Sequence, residues 1–302
     1  MNEIKLPRCK TLDEIYDSCF DSMLSDEMPK RFRVGRGFEQ IRLEPKQIIA
    51  LCAPPGSGKT ALIMQWMYDA MRLDENVKVV VCNVEMPPDM LLIREVARQI
   101  QVDSRWILDK KHKEEPQLKK AIADARVALA EFRKRLIFVE PPYTLDNIKK
   151  TNDKYDADVV VIDYLQRLQP NDNDKNTTKD KRQRVMNDMS ELRKWANAGL
   201  AIIAVSSVNR NPKNGVAYQN IGMGSFSESS EIEYGADVGY ALEPHKGNET
   251  KEAVKDSNGN VVEQEMILQT VKPPRYASPH SVIMKWELKT HHFTVLNRRV
   301  NG

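Results

Sequence analysis

The sequence predicts an α/β fold: a mainly parallel central sheet flanked by helices, with an antiparallel extension towards the C-terminus. Three observations predict it. Between residues 46 and 206, five short β-rich runs alternate with helical stretches, the pattern of βαβ units. After residue 236, strand-like runs follow one another through turns with no helix between them. The first β-run leads into "APPGSGKT" (53–60) and then a helix, the strand–loop–helix context of a phosphate-binding loop.

The chain of 302 residues is long enough for one large α/β domain or two modest ones. At 41% apolar residues it is not a disordered chain. A net charge of +3 means that any basic surface is local rather than global. The four cysteines, Cys9, Cys19, Cys52 and Cys82, form no C-x-x-C pair, which argues against a zinc site or disulfide framework. Cys52 and Cys82 sit in apolar runs and are expected as small buried hydrophobes. A cytoplasmic setting is expected, because "MNEIKLPRCK" lacks the apolar core of a signal peptide and no window approaches a membrane span.

Leu12, Ile15, Tyr16, Cys19, Phe20 and Met23 fall on one face of a helix over 11–24, and Thr11 with Glu14 forms a capping box. Residues 26–37, with a proline, two glycines and four basic residues, interrupt the pattern, so 1–37 is expected as a helix and linker preceding a domain at 38–302. The residues alone favour packing of that helix on its own domain over docking on a neighbour. The β-runs are "KQIIALC", "VKVVVCN", "RLIFVE", "ADVVVID" and "LAIIAVS", then "ADVGYAL", "EQEMILQTV", "SVIMKWEL" and "HFTVL". Helices are expected at about 59–72, 87–101, 114–134, 144–153 and 181–198. The polar stretch 243–260 reads as a surface loop.

In the phosphate loop, backbone N–H groups from Gly56 to Thr60 are expected to face a polyphosphate at the helix N-terminus, with Pro55, Gly56, Ser57 and Gly58 forming the cradle. Lys59 would reach the β- and γ-phosphates and Thr60 would ligand Mg²⁺. The first loop position is Ala53, where a small residue matters more than glycine. Asp163 ends an apolar strand, where a Mg²⁺-associated aspartate belongs in such a protein. Its neighbour Tyr164 is not an acid, so the group that activates water must come from elsewhere. Glu85, just past the second strand, has two readings from the residues: general base, or a glutamate favoured by the dipole of the helix beginning near Pro87.

The stretches "VEMPPDMLLIREVA", "VIDYLQRL", "VSSVNR" and "ESSEIEYGADV" stand in an order and spacing that resembles the RecA-like P-loop NTPase core of DnaB-type replicative helicases, over roughly residues 11–296. That family also commonly has alanine at the position of Ala53. The resemblance implies ATP and Mg²⁺ as ligands, and hydrolysis in a hexameric ring on single-stranded DNA, with a primase or loader protein as a further partner. It implies Glu85 as the catalytic glutamate, Asp163 for Mg²⁺, and the helix at 11–24 as a linker helix docking on the next subunit. The chain departs from the family pattern at three places. Ser207 replaces a glutamine that senses the γ-phosphate, and Ser227 replaces an arginine before Glu228. The trans-acting K-x-R pair becomes Lys272 and Arg275, one residue further apart across two prolines. With 37 residues ahead of the domain, the family's primase-binding domain is not expected in this sequence.

Two long loops are expected on the catalytic side, 169–184 and 209–228. Lys181, Arg182 and Arg184 from the first, and Arg210, Lys213 and Glu228 from the second, are the candidate DNA contacts, made to the backbone rather than to base edges. Tyr218 and Phe226 read either as base-stacking groups or as loop anchors. Two alternatives remain at this level: a recombinase-like or accessory DNA-binding ATPase forming filaments, and a regulatory ATPase that switches a protein partner without DNA.

Overall fold

The computed structural model describes residues 10–27, 30–171, 181–208, 230–245, 252–274 and 278–300. The chain divides into two compact units, Met1–Lys30 and Arg31–Gly302. Residues 31–37, read from sequence as linker, fall in the larger unit, where Phe32 and Val34 are buried and Phe32 bridges to Leu43.

The first unit holds α1 (Leu12–Leu24). Its capping box is formed: Glu14 N–H donates to Thr11 Oγ1 at 3.3 Å and Thr11 N–H to Glu14 Oε2 at 2.7 Å. Leu12, Tyr16, Phe20, Met23 and Leu24 are exposed, and the Tyr16 and Phe20 rings lie 4.8 Å apart.

In the second unit, ten strands form one sheet among the described residues. They are β1 (Ile48–Ala53), β2 (Val79–Asn83), β3 (Leu136–Phe138), β4 (Val159–Asp163), β5 (Ala201–Ser207), β6 (Val238–Pro244), β7 (Val254–Lys255), β8 (Val261–Lys272), β9 (His280–Glu287) and β10 (His292–Val300). The order is β10-β9-β8-β6-β1-β5-β4-β2-β3, with β7 paired to β8. Pairings from β6 through to β3 are parallel, and those linking β6, β8, β9 and β10 are antiparallel. The helices are α2 (Lys59–Leu73), α3 (Pro88–Ile100), α4 (Ser104–Leu108), α5 (Pro116–Ala128), α6 (Leu145–Tyr155), α7 (Lys181–Asn197) and α8 (Ser230–Gly235). Neither α4 nor α8 was expected from the sequence; both are too short to display helical periodicity.

The central strands are apolar throughout because both faces of the sheet are covered. In β1, Ile49, Leu51 and Ala53 join the core with α2 residues Leu62, Trp66 and Met67. Ile48, Ala50 and Cys52 point to the opposite core with Ile148 of α6 and Leu192 of α7. Cys52 and Cys82 are fully buried, and burial pushes both thiols up to about 12. Gln65 of α2 clamps the antiparallel extension: its Nε2 donates to Phe293 O at 2.9 Å and its Oε1 accepts from Phe293 N–H at 3.0 Å. Among the described residues no helix is long and apolar enough to cross a membrane.

Candidate nucleotide site

The parallel strands bring the chemistry to one edge of the sheet. β1, β2, β4 and β5 all run the same way, so the residues at their C-terminal ends meet there. Ala53 pairs with Ser207 at the ends of β1 and β5, and Asn83 pairs with Asp163 at the ends of β2 and β4.

The loop from Ala53 to Thr60 turns directly into α2. Gly58 is the helix N-cap with φ 78°, in the left-handed region. A Cβ there would stand 2.7 Å from Trp286 Cζ2 and 2.9 Å from Phe293 Cζ. Those two rings stack 5.5 Å apart under the loop, so the antiparallel extension supports the cradle from below. Gly56 also takes a left-handed φ of 76°, but nothing lies within 4 Å of its Cβ position, which leaves that side of the loop open. Ser57 is buried, Pro55 is exposed, and Lys59 opens the helix. With no intrahelical partners, the first N–H groups of α2 face the crevice together with the helix dipole.

Asp163 is 2% exposed. Its Oδ2 accepts from Thr60 Oγ1 at 2.6 Å and from Asn83 Nδ2 at 2.9 Å. Its Oδ1 is buried with no hydrogen-bond partner. Burial raises the carboxyl above the usual aspartate range, opposed by the Thr60 hydrogen bond and the Lys59 charge, while Glu85 raises it further. A buried, half-satisfied carboxylate oxygen beside a threonine hydroxyl is an unfavourable arrangement that a hard divalent cation relieves. The donor set therefore fits Mg²⁺, which is commonly bound by one or two protein oxygens plus phosphates and waters.

Glu85 is exposed at the mouth of this crevice, just past β2. Asn83, which the sequence reading passed over, holds both sides together. Its Nδ2 donates to Asp163, and its Oδ1 accepts from the N–H groups of Glu85 at 3.0 Å and Met86 at 2.7 Å. A strand ending on asparagine two residues before the glutamate was the available signal, since Asn favours such local turns. Tyr164 was read only as a missing acid, yet Lys59 Nζ lies 6.0 Å from its ring centroid. Gln166 Nε2 donates to Ser206 Oγ at 2.6 Å, tying the turn after β4 to β5.

Other expected site residues lie apart from this crevice. Lys272 pairs with Gly239 near the start of β6, and its ammonium donates to Ala236 O at 2.7 Å. That is the opposite edge of the sheet, where a cavity of about 680 Å³ is lined by Arg42, Lys46, Arg193, Tyr234, Asp237 and Lys272, among others. Arg182 is exposed and Arg184 half-buried in the first turn of α7, on the crevice side. Lys181 begins that helix, and its side chain lies outside the described residues, as do Arg210, Lys213, Tyr218, Phe226, Ser227, Glu228 and Arg275.

Fold and crevice define a RecA-like fold with a phosphate-loop motif at one sheet edge. The chain belongs to the DnaB-like helicase C-terminal domain family, whose model matches residues 39–294. It is 26% identical over 233 residues to a protein of Mycoplasma genitalium, the "Replicative DNA helicase DnaB", covering 75% of this chain and 48% of that one. The chain thus spans about half the length of that curated relative. Two solved structures share the fold. One, described as an ATPase domain, has a TM-score of 0.72 and 17% identity over 96% of this chain and 100% of its own. The other is described as a DnaB-like replicative helicase and its interactions with primase. It has a TM-score of 0.71 and 16% identity, over 96% of this chain and 68% of its own.

Proposed function

We propose that this chain is the ATP-hydrolysing motor domain of a cytoplasmic DNA helicase that translocates on single-stranded DNA as a hexameric ring. The observation that carries the reading is the meeting of three groups at one sheet edge: the P-loop, the half-satisfied Asp163 beside Thr60, and Glu85. The backbone from Gly56 to Thr60 binds the phosphates of ATP, and Lys59 swings from the Tyr164 ring to the β- and γ-phosphates. Thr60 and Asp163 would hold Mg²⁺, which would neutralise phosphate charge when bound. Ser207, paired with Ala53 at the end of β5, is the residue through which this reading couples the γ-phosphate to that strand.

Glu85 orients a water whose oxygen bonds to the γ-phosphorus while the bond to the β–γ bridging oxygen breaks. The electron pair of that bond leaves with ADP. The water's proton passes to the Glu85 carboxylate and from there to solvent.

Lys272 stands on the sheet edge opposite its own P-loop, which supports a role for it and Arg275 at a neighbour's triphosphate rather than at their own. Lys181, Arg182, Arg184, Arg210, Lys213 and Glu228 line the path of the DNA strand, and α1 docks on the next subunit. A primase or loader is a further partner of the ring. ATP turnover measured with oligo(dT) over a salt series tests the reading. Stimulation by DNA that weakens steeply with salt is expected; turnover indifferent to DNA at every salt concentration refutes it and favours the regulatory ATPase.

A further inference from the structure

We propose that Arg167 is a positioning residue for the Glu85 carboxylate, supplied by the same protomer. The inference rests on the reading of Glu85 as the group that orients the attacking water. Arg167 ends the 3₁₀ turn Leu165–Arg167 that follows Asp163 and Tyr164. Its Nη1 lies 3.9 Å from Glu85 Oε1, and its Cζ lies 5.3 Å from the Tyr164 ring centroid. Lys59 Nζ lies 6.0 Å from the same centroid. One aromatic ring therefore has two cations beside it, and one of them is paired with the Glu85 carboxylate.

Among the described residues, Arg167 is the one side chain paired with the Glu85 carboxylate. A glutamate at a loop mouth has several rotamers, and holding one of them costs side-chain entropy. A planar guanidinium matches a carboxylate edge, and this one is itself steadied by lying over the Tyr164 ring. The two side chains are 55% and 39% exposed, so the pair adds little to folding stability. Its effect is on orientation. Phosphoryl transfer asks more for a well-placed water than for a strong base, so fixing the orientation of the carboxylate is itself a contribution to the rate.

The test compares Arg167→Ala, Arg167→Gln, Arg167→Lys, Glu85→Gln and the double variant Glu85→Gln/Arg167→Ala. Steady-state and single-turnover ATP hydrolysis, binding of a fluorescent ATP analogue and thermal melting are measured for each. Arg167→Ala and Arg167→Gln are expected to lower kcat by about tenfold or more, with analogue Kd changed by less than about threefold and melting unchanged. Arg167→Lys is expected to recover part of the rate. In single turnover the double variant is expected to be no slower than Glu85→Gln. An unchanged or raised kcat in Arg167→Ala, a defect confined to nucleotide affinity, or a further loss on the Glu85→Gln background overturns the proposal. If Glu85→Gln hydrolyses normally, the reading of Glu85 fails and this inference fails with it. If Glu85→Gln is inactive while Arg167→Ala is normal, only this inference fails.

Discussion

Asp163 carries two opposite demands at the residue scale. Its burial disfavours charge, yet Thr60 and Lys59 favour it. In a P-loop site that tension is resolved when a cation and a triphosphate arrive together. Lys59→Ala is therefore expected to abolish both ATP binding and turnover, while Glu85→Gln abolishes turnover and keeps binding. Parallel measurements of analogue binding and phosphate release check both; normal hydrolysis by Glu85→Gln would remove the catalytic assignment. His291 gives a separate pH signature. Burial and then the nearby Arg94 lower it from 6.5 to about 4, opposed by Asp103, and its Nε2 lies 2.9 Å from Ser104 Oγ. Neutral in the fold and protonated when unfolded across that window, it makes stability fall as pH drops from 6.5 towards 4. His291→Asn suits the left-handed φ of 57° at this turn and is expected to flatten that dependence, checked by urea unfolding across the pH series.

The C-terminal hairpin β9–β10 is part of the nucleotide site at the scale of elements, although it contributes no group to the chemistry. Trp286 and Phe293 fill the space beneath Gly58, and Gln65 joins α2 to β10 through two hydrogen bonds. Gln65→Ala leaves the buried N–H and C=O of Phe293 unpaired. A stability loss of about 2–4 kcal/mol is expected, read by denaturant unfolding at one fixed protein concentration. Weaker ATP binding should accompany it, because the loop loses its support. An unchanged unfolding midpoint would show that the clamp is not needed. These strands were legible in the sequence as strand-like runs joined by turns, but their position under the P-loop was not. Trp286 and Gly58 are 228 residues apart in sequence, and no local pattern reports such a contact.

At the scale of the whole molecule, the groups expected to act together sit on opposite edges of one sheet. Lys59 and Asp163 are at the C-terminal ends of the parallel strands, and Lys272 is near the start of β6. A protomer with a crevice on one edge and cations on the other is suited to head-to-tail assembly, which closes into a ring when the rotation permits. The exposed apolar side of α1 is the second contact proposed for such an assembly. Deleting residues 1–25 is expected to lower the mass measured by light scattering in the presence of ATP. An unchanged mass would remove α1 from the assembly contacts.

The sequence by itself determined the alternation of strands and helices, the P-loop and the Asp163 strand end, because each is written in local periodicity or contiguous spacing. It also offered Glu85 as the proposed catalytic glutamate once the resemblance joined the motifs. Only the tertiary structure decided that Asn83 links Asp163 to Glu85, that Arg167 and Lys59 share the Tyr164 ring, and that the hairpin carries Gly58. Those are contacts between segments that parallel pairing brings side by side. Pairing depends on which strand lies next to which, a choice made by burial over the whole sheet and not by any single stretch.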